Sequence, residues 1–241
     1  MSIKFCNYKN QHGFTDDFLK VYDFLKRINQ ENVITPNFLW GRWEWMFSLP
    51  YLNKNVLGKI GIWKDDEKIV ALATYEADID EAYICVDKDY NCLKEDILNY
   101  VENNFSGEHK VLIADNDHVL QRIATIHGYK PTQNKQGIAK IDINHNISYK
   151  LPHGFSVVSL AEKFDLYEYN KVLWKGFNHD GEPPATKEQM LNRKLSLSGP
   201  HVNLQHKIAV VSPSGEFVSY CGMWYDSNTD YALVEPVATV P

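Results

Sequence analysis

The stretch Lys207–Tyr225, with the sequence KIAVVSPSGEFVSYCGMWY, decides the fold of the second half of the chain. Its two apolar runs flank Ser212-Pro213-Ser214-Gly215, a set of residues typical of a tight turn. We therefore predict an antiparallel hairpin with strands Lys207–Val211 and Glu216–Tyr225. A further strand, Tyr231–Val240, follows this hairpin along the chain.

A similar pattern occurs 148 positions earlier and indicates an internal repeat. There the predicted strands are Lys59–Trp63, Lys68–Glu76 and Ala82–Val86. Gapless alignment of Lys59 with Lys207 produces further identities, which are Ile60 with Ile208, Val70 with Val218, Asp78 with Asp226, Tyr83 with Tyr231, and Val86 with Val234. The alternative is that two unrelated hairpins share common strand residues.

Helical spacing of apolar residues and flanking turn residues complete the prediction. The predicted helices are Phe18–Ile28 with Thr15 as its cap, Phe38–Phe47 opened by Thr35-Pro36, Leu93–Phe105, His118–His127, Leu166–Phe177 and Thr186–Leu197. The remaining predicted strands are Ile3–Tyr8, Val111–Ala114, Gly137–Ile143 and Phe155–Leu160. The fold class is α/β with mixed sheets, in two tandem domains at residues 1–145 and 155–241, joined by a linker at 146–154.

The composition excludes several classes of protein. The 241 residues carry a formal net charge of −6, which argues against a nucleic-acid-binding surface. No apolar run approaches the ~20 residues that span a bilayer, so we expect no membrane association, and the N-terminus lacks a signal-peptide pattern, so we expect a cytoplasmic protein. The four cysteines have no metal-site or redox spacing, so we expect them to be buried and expect no metal.

The segment Ala232–Pro241 reads ALVEPVATVP and resembles the fourth strand of the GNAT superfamily of N-acetyltransferases. The order of strands and helices in both halves resembles that family as well. The resemblance implies a transferase that moves an acetyl group from acetyl-CoA to the primary amine of a small molecule or peptide. It also implies that the second GNAT-like domain is incomplete, because the sequence ends at Pro241, where the family's glycine-rich pyrophosphate loop would begin.

The same resemblance supplies candidate site residues. Glu235 is the candidate general base, or alternatively an ion-pair or substrate contact, and a backbone N–H at Val237 or Ala238 is the candidate group that polarises the thioester carbonyl. Thr239 and Val240 would offer backbone groups to the pantetheine arm, with ordinary sheet pairing as the alternative. The candidate acceptor contacts are Trp224, Tyr225 and His179, for which the alternatives are core packing and a helix end stopped by Gly181.

The first half offers a poor substitute for the pyrophosphate loop. Its equivalent, Val86–Cys92, has no glycine and places Asp87 and Asp89 where a diphosphate would lie, and these carboxylates would repel the anion. We therefore expect a degenerate first domain and weak or absent binding of acetyl-CoA by this chain. The alternative function is a non-catalytic GNAT-like binding or scaffold protein, and the unpaired edge of the last strand would favour self-association.

Overall fold

The computed structural model describes residues 2–144 and 148–241. Its contacts divide the chain into two compact units, Met1–Lys140 (unit 1) and Ile141–Pro241 (unit 2). The predicted linker at 146–154 and the predicted end of the first domain at residue 145 fall partly outside the described residues.

Unit 1 is a five-stranded sheet with four α-helices. Its strands are β1 (Ile3–Asn7), β2 (Gly61–Asp65), β3 (Lys68–Thr74), β4 (Glu81–Val86) and β5 (Lys110–Leu112). Its helices are α1 (Asp16–Ile28), α2 (Trp40–Met46), α3 (Lys94–Asn104) and α4 (His118–Ile126), with 3-10 helices at Lys54–Lys59 and Lys88–Leu93. The strands lie in the order β1-β2-β3-β4-β5; neighbours are antiparallel except β4 and β5, which are parallel.

Unit 2 is a four-stranded antiparallel sheet with two α-helices. Its strands are β6 (Ser156–Ser159), β7 (Lys207–Val211), β8 (Phe217–Tyr225) and β9 (Ala232–Thr239), in spatial order along the sheet. Its helices are α5 (Leu166–Gly176) and α6 (Lys187–Leu195), with a 3-10 helix at Leu204–His206. The two sheets and their helices confirm the predicted mixed α/β class.

Local sequence signals account for several helix starts. Thr15 caps α1 by accepting a hydrogen bond from the backbone N–H of Phe18. Thr186 and Gln189 form a reciprocal capping box at the start of α6. Helix α2 begins later than predicted, at Trp40, because Thr35 is held in a turn by hydrogen bonds to Asn29.

The core of unit 2 lies between α5 and one face of the sheet. It is formed by buried residues of α5 and β7 to β9 and by the residue that follows β6, namely Leu160, Tyr169, Val172, Leu173, Ala209, Val211, Phe217, Tyr220 and Ala238. The C-terminal end of α5 approaches β9 closely at Gly176. A Cβ atom built on Gly176 would lie 2.7 Å from the Cβ of Ala238, so this contact requires glycine.

The predicted strand Gly137–Ile143 is wrong. The structure gives these residues no regular secondary structure, and the side chains of Ile138, Ile141 and Ile143 are more than half exposed. A strand needs a partner for its backbone groups, and none of the described strands pairs with this segment. Cys92 is also exposed, contrary to the expectation of buried cysteines.

The two central hairpins share a register irregularity. In unit 1 the register shifts between Trp63 and Lys64, and Lys64 pairs with Ile69. In unit 2 the register shifts just before Val211, which pairs with Phe217. Matching these shifts relates β2 to β7 by 147 positions and β3 to β8 by 148 positions. The hairpins therefore correspond nearly as the repeat in the sequence predicts.

The strand after each hairpin corresponds at a different spacing. Just beyond the strand ends, the backbone N–H of Asp87 donates to the carbonyl of Val70, and that of Val240 donates to Val218. Val70 and Val218 are 148 positions apart, whereas Asp87 and Val240 are 153 positions apart. The third strands are therefore offset by five residues from the predicted alignment.

The predicted gapless match of Val86 with Val234 is consequently wrong. Val86 pairs with Ala71, and the residue that pairs with the equivalent Ser219 is Thr239. The physical reason is that β8 has nine residues where β3 has seven, and β9 contains an extra residue in a bulge. The identities of Tyr83 with Tyr231 and Val86 with Val234 therefore join residues that do not occupy equivalent positions in the two sheets.

Candidate functional site

The candidate cofactor residues lie on β9, which is the edge strand of the unit 2 sheet. One edge of β9 pairs with β8, with Thr239 opposite Ser219, Ala238 opposite Tyr220 and Val237 opposite Cys221. In the part of the chain that the structure describes, no strand pairs with the other edge. An extended ligand with hydrogen-bonding groups can therefore approach this edge.

The backbone direction alternates along β9. The N–H of Val240 donates to the carbonyl of Val218 across 3.0 Å, so its backbone groups face β8. Because hydrogen-bonded and non-hydrogen-bonded pairs alternate in an antiparallel ladder, Ala238 also faces β8. Val237 and Thr239 direct their N–H and C=O groups to the open edge. The backbone groups of Val237 and Thr239 are thus available to a ligand, whereas those of Ala238 and Val240 form hydrogen bonds with β8.

Glu235 lies in a bulge of the same strand. Cys221 pairs with Val237 and Met223 pairs with Val234, so Gly222 alone faces both Glu235 and Pro236. The side chain of Glu235 is half-buried, and its peptide bond to Pro236 is cis. The structure therefore places this carboxylate two residues before the outward-facing Val237. Its role as a general base stays a prediction.

Trp224 lies next to Glu235, but its ring is buried. Its indole Nε1–H donates to the carbonyl oxygen of Glu235 across 3.1 Å, and 4% of its surface is exposed. It therefore contacts the backbone of the candidate site and leaves little surface for a substrate. Tyr225 is exposed, and its ring lies 5.5 Å from that of His206.

His179 lies in the loop that follows α5. Its exposed ring is packed on Trp174, with 4.5 Å between the ring centroids. The backbone N–H of His179 donates to the backbone carbonyl of Trp174. The predicted helix stop at Gly181 is wrong, because α5 ends at Gly176 and Asn178 is the first residue with positive φ, at 58°. The loop begins where Gly176 touches β9, close to Thr239.

In unit 1 the segment Val86–Cys92, the sequence-based candidate for a phosphate loop, is occupied by internal contacts. Arg27 binds the carboxylate of Asp87 at 2.6 Å, and Lys68 lies 3.4 Å from the same oxygen. Burial alone would raise the pKa of Asp87, but the hydrogen bond from Arg27 and these two cations lower it. The N–H groups of Asp87 and Tyr90 donate to backbone carbonyls. These two backbone N–H groups are therefore bonded within the protein and do not point to a ligand.

The opening beside β4 is likewise occupied. Strand β5 pairs with β4 only as far as Tyr83, which leaves the following residues of β4 unpaired on that side. The loop between α1 and α2 lies against this region: Asn37 donates to the carbonyl of Leu112 at 3.0 Å, and the Phe38 ring packs on Tyr83 at 4.7 Å. Burial raises the pKa of the Cys85 thiol to about 12. The loop between α1 and α2 therefore lies next to the unpaired end of β4.

Two further features limit the kinds of site in the described residues. No group of three or more His, Cys, Asp or Glu side chains there is arranged to hold a metal ion. None of the helices in residues 2–144 and 148–241 has the length and apolar character needed to cross a bilayer.

Three comparisons with known proteins were made. No family model matches the chain, and no curated protein matches it. Comparison with solved structures does find matches. The chain is similar to a GCN5-related N-acetyltransferase from Sphaerobacter thermophilus. The two share 13% identity with a TM-score of 0.47, over 99% of this chain and 76% of that one.

The chain is also similar to two structures of Saccharomyces cerevisiae N-myristoyltransferase. One, with bound myristoyl-CoA and inhibitors, gives a TM-score of 0.43 at 12% identity; the other, with bound myristoyl-CoA, gives 0.44 at 13%. Both matches cover 99% of this chain, which spans 64% and 63% of those chains.

Three residues that shape the site were not identified from the sequence. Lys207 is 2% exposed, and its Nζ lies 3.9 Å from the centre of the Trp224 ring. Gly222 faces the bulge, and Gly176 contacts β9. The repeat pairs Lys207 with Lys59 in sequence, but nothing in that identity indicates a buried ammonium group.

Proposed function

We propose that unit 2 carries the acyl-CoA and amine-binding site of a GNAT-type N-acyltransferase, and that unit 1 is a related domain that binds no cofactor. The observation that carries this proposal is the open edge of β9. There the outward backbone groups of Val237 and Thr239 follow directly on the bulge that contains Glu235. The resemblance of the segment Ala232–Pro241 to the family's fourth strand supports the same assignment.

Acetyl-CoA, when bound along this edge, would supply the thioester whose acetyl group is transferred. The N–H of Val237 would polarise the carbonyl oxygen, as preorganised donors do in other acyl transfers. Glu235 would accept a proton from the ammonium group of a small-molecule or peptide substrate, and the resulting amine would attack the thioester carbonyl carbon and pass its second proton to the leaving sulfur. The new N–C bond replaces the C–S bond, and the thiol of CoA leaves with a proton.

The chemistry requires no covalent enzyme intermediate. Cys221 lies opposite Val237 across the ladder, which makes it the nearest thiol by register. Burial raises the pKa of the Cys221 thiol, against the opposing effect of Lys207. A thiol held in its neutral form is a poor nucleophile, so direct transfer to the amine is favoured.

The geometry supports weak binding of the cofactor by this chain. Val237 and Thr239 offer two N–H and two C=O groups, each worth about 0.5–1.5 kcal/mol net. Association costs at least ~4 kcal/mol, so the contacts on β9 barely offset that cost. None of the described residues provides a glycine-rich phosphate loop, so we expect S-acetylpantetheine and acetyl-CoA to bind this chain similarly weakly, with dissociation constants of about 30 mM or higher.

Titration with these two ligands, followed by the amide chemical shifts of β9, tests the proposal. Val237→Pro removes the outward N–H without removing a donor to β8, so it should weaken the binding of both ligands about 2- to 12-fold. Val157→Pro is the matched control. Val157 lies on the other edge strand, β6. The N–H of Leu160 donates to the carbonyl of Lys207 on β7, and backbone direction alternates along a strand, so the N–H of Val157, three residues earlier, points outward. Equal binding by both variants, or micromolar binding of acetyl-CoA alone, would contradict the site.

A second candidate function is a non-catalytic binding or scaffold protein. The observation that favours it is that both edge strands of unit 2 expose apolar side chains: Val157 on β6, and Val234 and Val237 on β9, are each more than half exposed. In that case the chain would show no acyl transfer in any assay for released CoA thiol. The Val237→Pro variant would then alter self-association and leave the response to S-acetylpantetheine unchanged.

A further inference from the structure

The bulge in β9 is held against β8 by an unusual contact at Gly222. A Cβ atom built on Gly222 would lie 2.7 Å from the carbonyl oxygen of Glu235 and 3.1 Å from the Cδ of Pro236. Real Cβ atoms do not approach a carbonyl oxygen this closely, so the bulge occupies the space that a side chain would need. The carbonyl of Glu235 is therefore directed over Gly222.

Trp224 fixes that same carbonyl. Its Nε1–H is the donor to Glu235 at 3.1 Å, and the ring is buried on the strand next to the bulge. An indole has one donor and no acceptor, so this hydrogen bond specifies the position of one peptide group. The contact connects a rigid core side chain to the irregular part of β9.

Lys207 supports Trp224 from the neighbouring strand. Its Nζ lies 3.9 Å from the ring centre and donates to the carbonyl of Met223 at 3.2 Å. A cation over an indole face is attracted by the ring, most strongly where both are desolvated, as they are here. The cation also polarises the indole, which strengthens its N–H as a donor.

We propose that Lys207 and Trp224 are positioning residues of the candidate acyl-transfer site, because they keep the bulge at Glu235 in place and thereby direct the N–H of Val237 to the open edge. This inference rests on the proposed function for its catalytic meaning. Alternate residues of a strand point to opposite edges. Removal of the bulge would shift the register by one residue, turning the N–H of Val237 toward β8 and that of Ala238 outward.

Amide hydrogen exchange on the full chain tests this geometry without any ligand. In the wild type, the N–H groups of Ala238 and Val240 should exchange slowly and those of Val237 and Thr239 rapidly. Trp224→Phe keeps an aromatic ring but removes the donor, and Lys207→Met removes the cation. In both variants the protection of Ala238 should fall at least tenfold relative to that of Ala209 in the centre of β7.

Matched controls exist elsewhere in the chain. Trp63→Phe changes a buried indole of unit 1, and Lys163→Met removes a lysine that lies over the Phe217 ring. Neither should change the alternation of protection along β9. If the wild type transfers acetyl groups, Trp224→Phe should also lower kcat about tenfold or more and change KM for acetyl-CoA less than twofold, because it moves a transition-state donor.

The outcomes separate the two proposals. Unchanged alternation in both variants would overturn the positioning role, whatever the activity. Loss of protection throughout unit 2, at Ala209 as well as Ala238, in both variants would also overturn it in favour of a general contribution to stability. If both substitutions change the alternation of protection along β9 but the wild type binds neither acetyl-CoA nor S-acetylpantetheine, the proposed function is refuted. The positioning of the bulge by Lys207 and Trp224 then still stands.

Discussion

Gly176, the last residue of α5, lies against Ala238 of β9 so closely that a Cβ on the glycine would be 2.7 Å from the alanine Cβ and 2.9 Å from the backbone nitrogen of Thr239. The helix and the edge strand are therefore in direct backbone contact. This contact sets the distance between the core helix of unit 2 and the strand that carries the candidate site.

Gly176→Ala should destabilise unit 2 by about 1–3 kcal/mol, because the added methyl forces the helix and strand apart. The midpoint of urea unfolding measures this loss. Gly107→Ala is the control, since a Cβ there would meet nothing within 4 Å. Adding Ala238→Gly to the Gly176 variant should recover part of the loss. A Gly176→Ala protein as stable as the control would contradict the close contact.

The ion pair between Arg27 and Asp87 should make unit 1 sensitive to acid. The pKa of Asp87 is lowered in the folded protein, so its stabilising contribution is present at neutral pH and is lost as pH falls below about 4, through the folded value. Arg27→Met should raise that pKa toward its unfolded value, so the acid-dependent loss of stability shrinks and the two proteins become similarly stable as pH falls. It should also cost about 1–2 kcal/mol at pH 7, since Arg27 is partly exposed.

Unfolding free energies measured between pH 7 and pH 3 test this prediction. Lys110→Met removes a contact with Glu81 at 3.7 Å in which both side chains are largely exposed, and it should leave the pH profile nearly unchanged. Parallel profiles for the wild type and Arg27→Met would show that the contact between Arg27 and Asp87 does not act on folding.

Glu235→Gln should lower the rate of acetyl transfer by roughly 10²–10⁴-fold at neutral pH, if the carboxylate is the general base. The amide keeps the shape of the side chain but cannot accept the proton. Glu216→Gln, which removes an exposed ion pair with Lys171, is the control. A pH–rate profile with the same shape as that of the wild type would assign Glu235 to structure or binding.

Self-association through β9 stays a prediction that sedimentation velocity can test. Val237→Lys places a charge on the open edge strand, which disfavours pairing with a second copy. The apparent dimer dissociation constant should rise at least tenfold. Val157→Lys makes the same change on β6 and should have a smaller effect. A wild-type protein that stays monomeric at all concentrations would contradict this prediction.

Local sequence signals predicted the elements well where the chain itself determines them. The cap at Thr15 and the turn at Ser212–Gly215 act within a few residues, and both occur as expected. The segment Gly137–Ile143 has the alternation of a strand but no partner among the described strands. Alternation shows that a segment can form a strand, and only tertiary pairing decides whether it does.

The sequence predicted the strand that carries the candidate site, but it did not predict which backbone groups of that strand are open to a ligand. Which of the residues Val237–Val240 face outward depends on register, and register depends on the bulge opposite Gly222. The burial of Lys207 beneath Trp224 also depends on contacts between separate strands. Such contacts leave no local pattern of residue types, so sequence reasoning could not have found them.

The five-residue displacement between β4 and β9 has a consequence for any exchange of parts between the units. Because β9 has an extra residue in its bulge, residues five apart across the bulge share a face: Leu233 lies opposite Trp224 and Ala238 opposite Tyr220. A chimera that replaced β9 with β4 by the spacing of 148 would therefore keep the inward face of the graft but place it too early along β8. Val86 would then lie opposite Met223, and Ser219 to Cys221 would lose their partner strand. The same graft made at 153, with Val86 in the place of Thr239, would preserve both the face and the pairing, and the hydrogen bonds of Asp87 and Val240 identify this spacing.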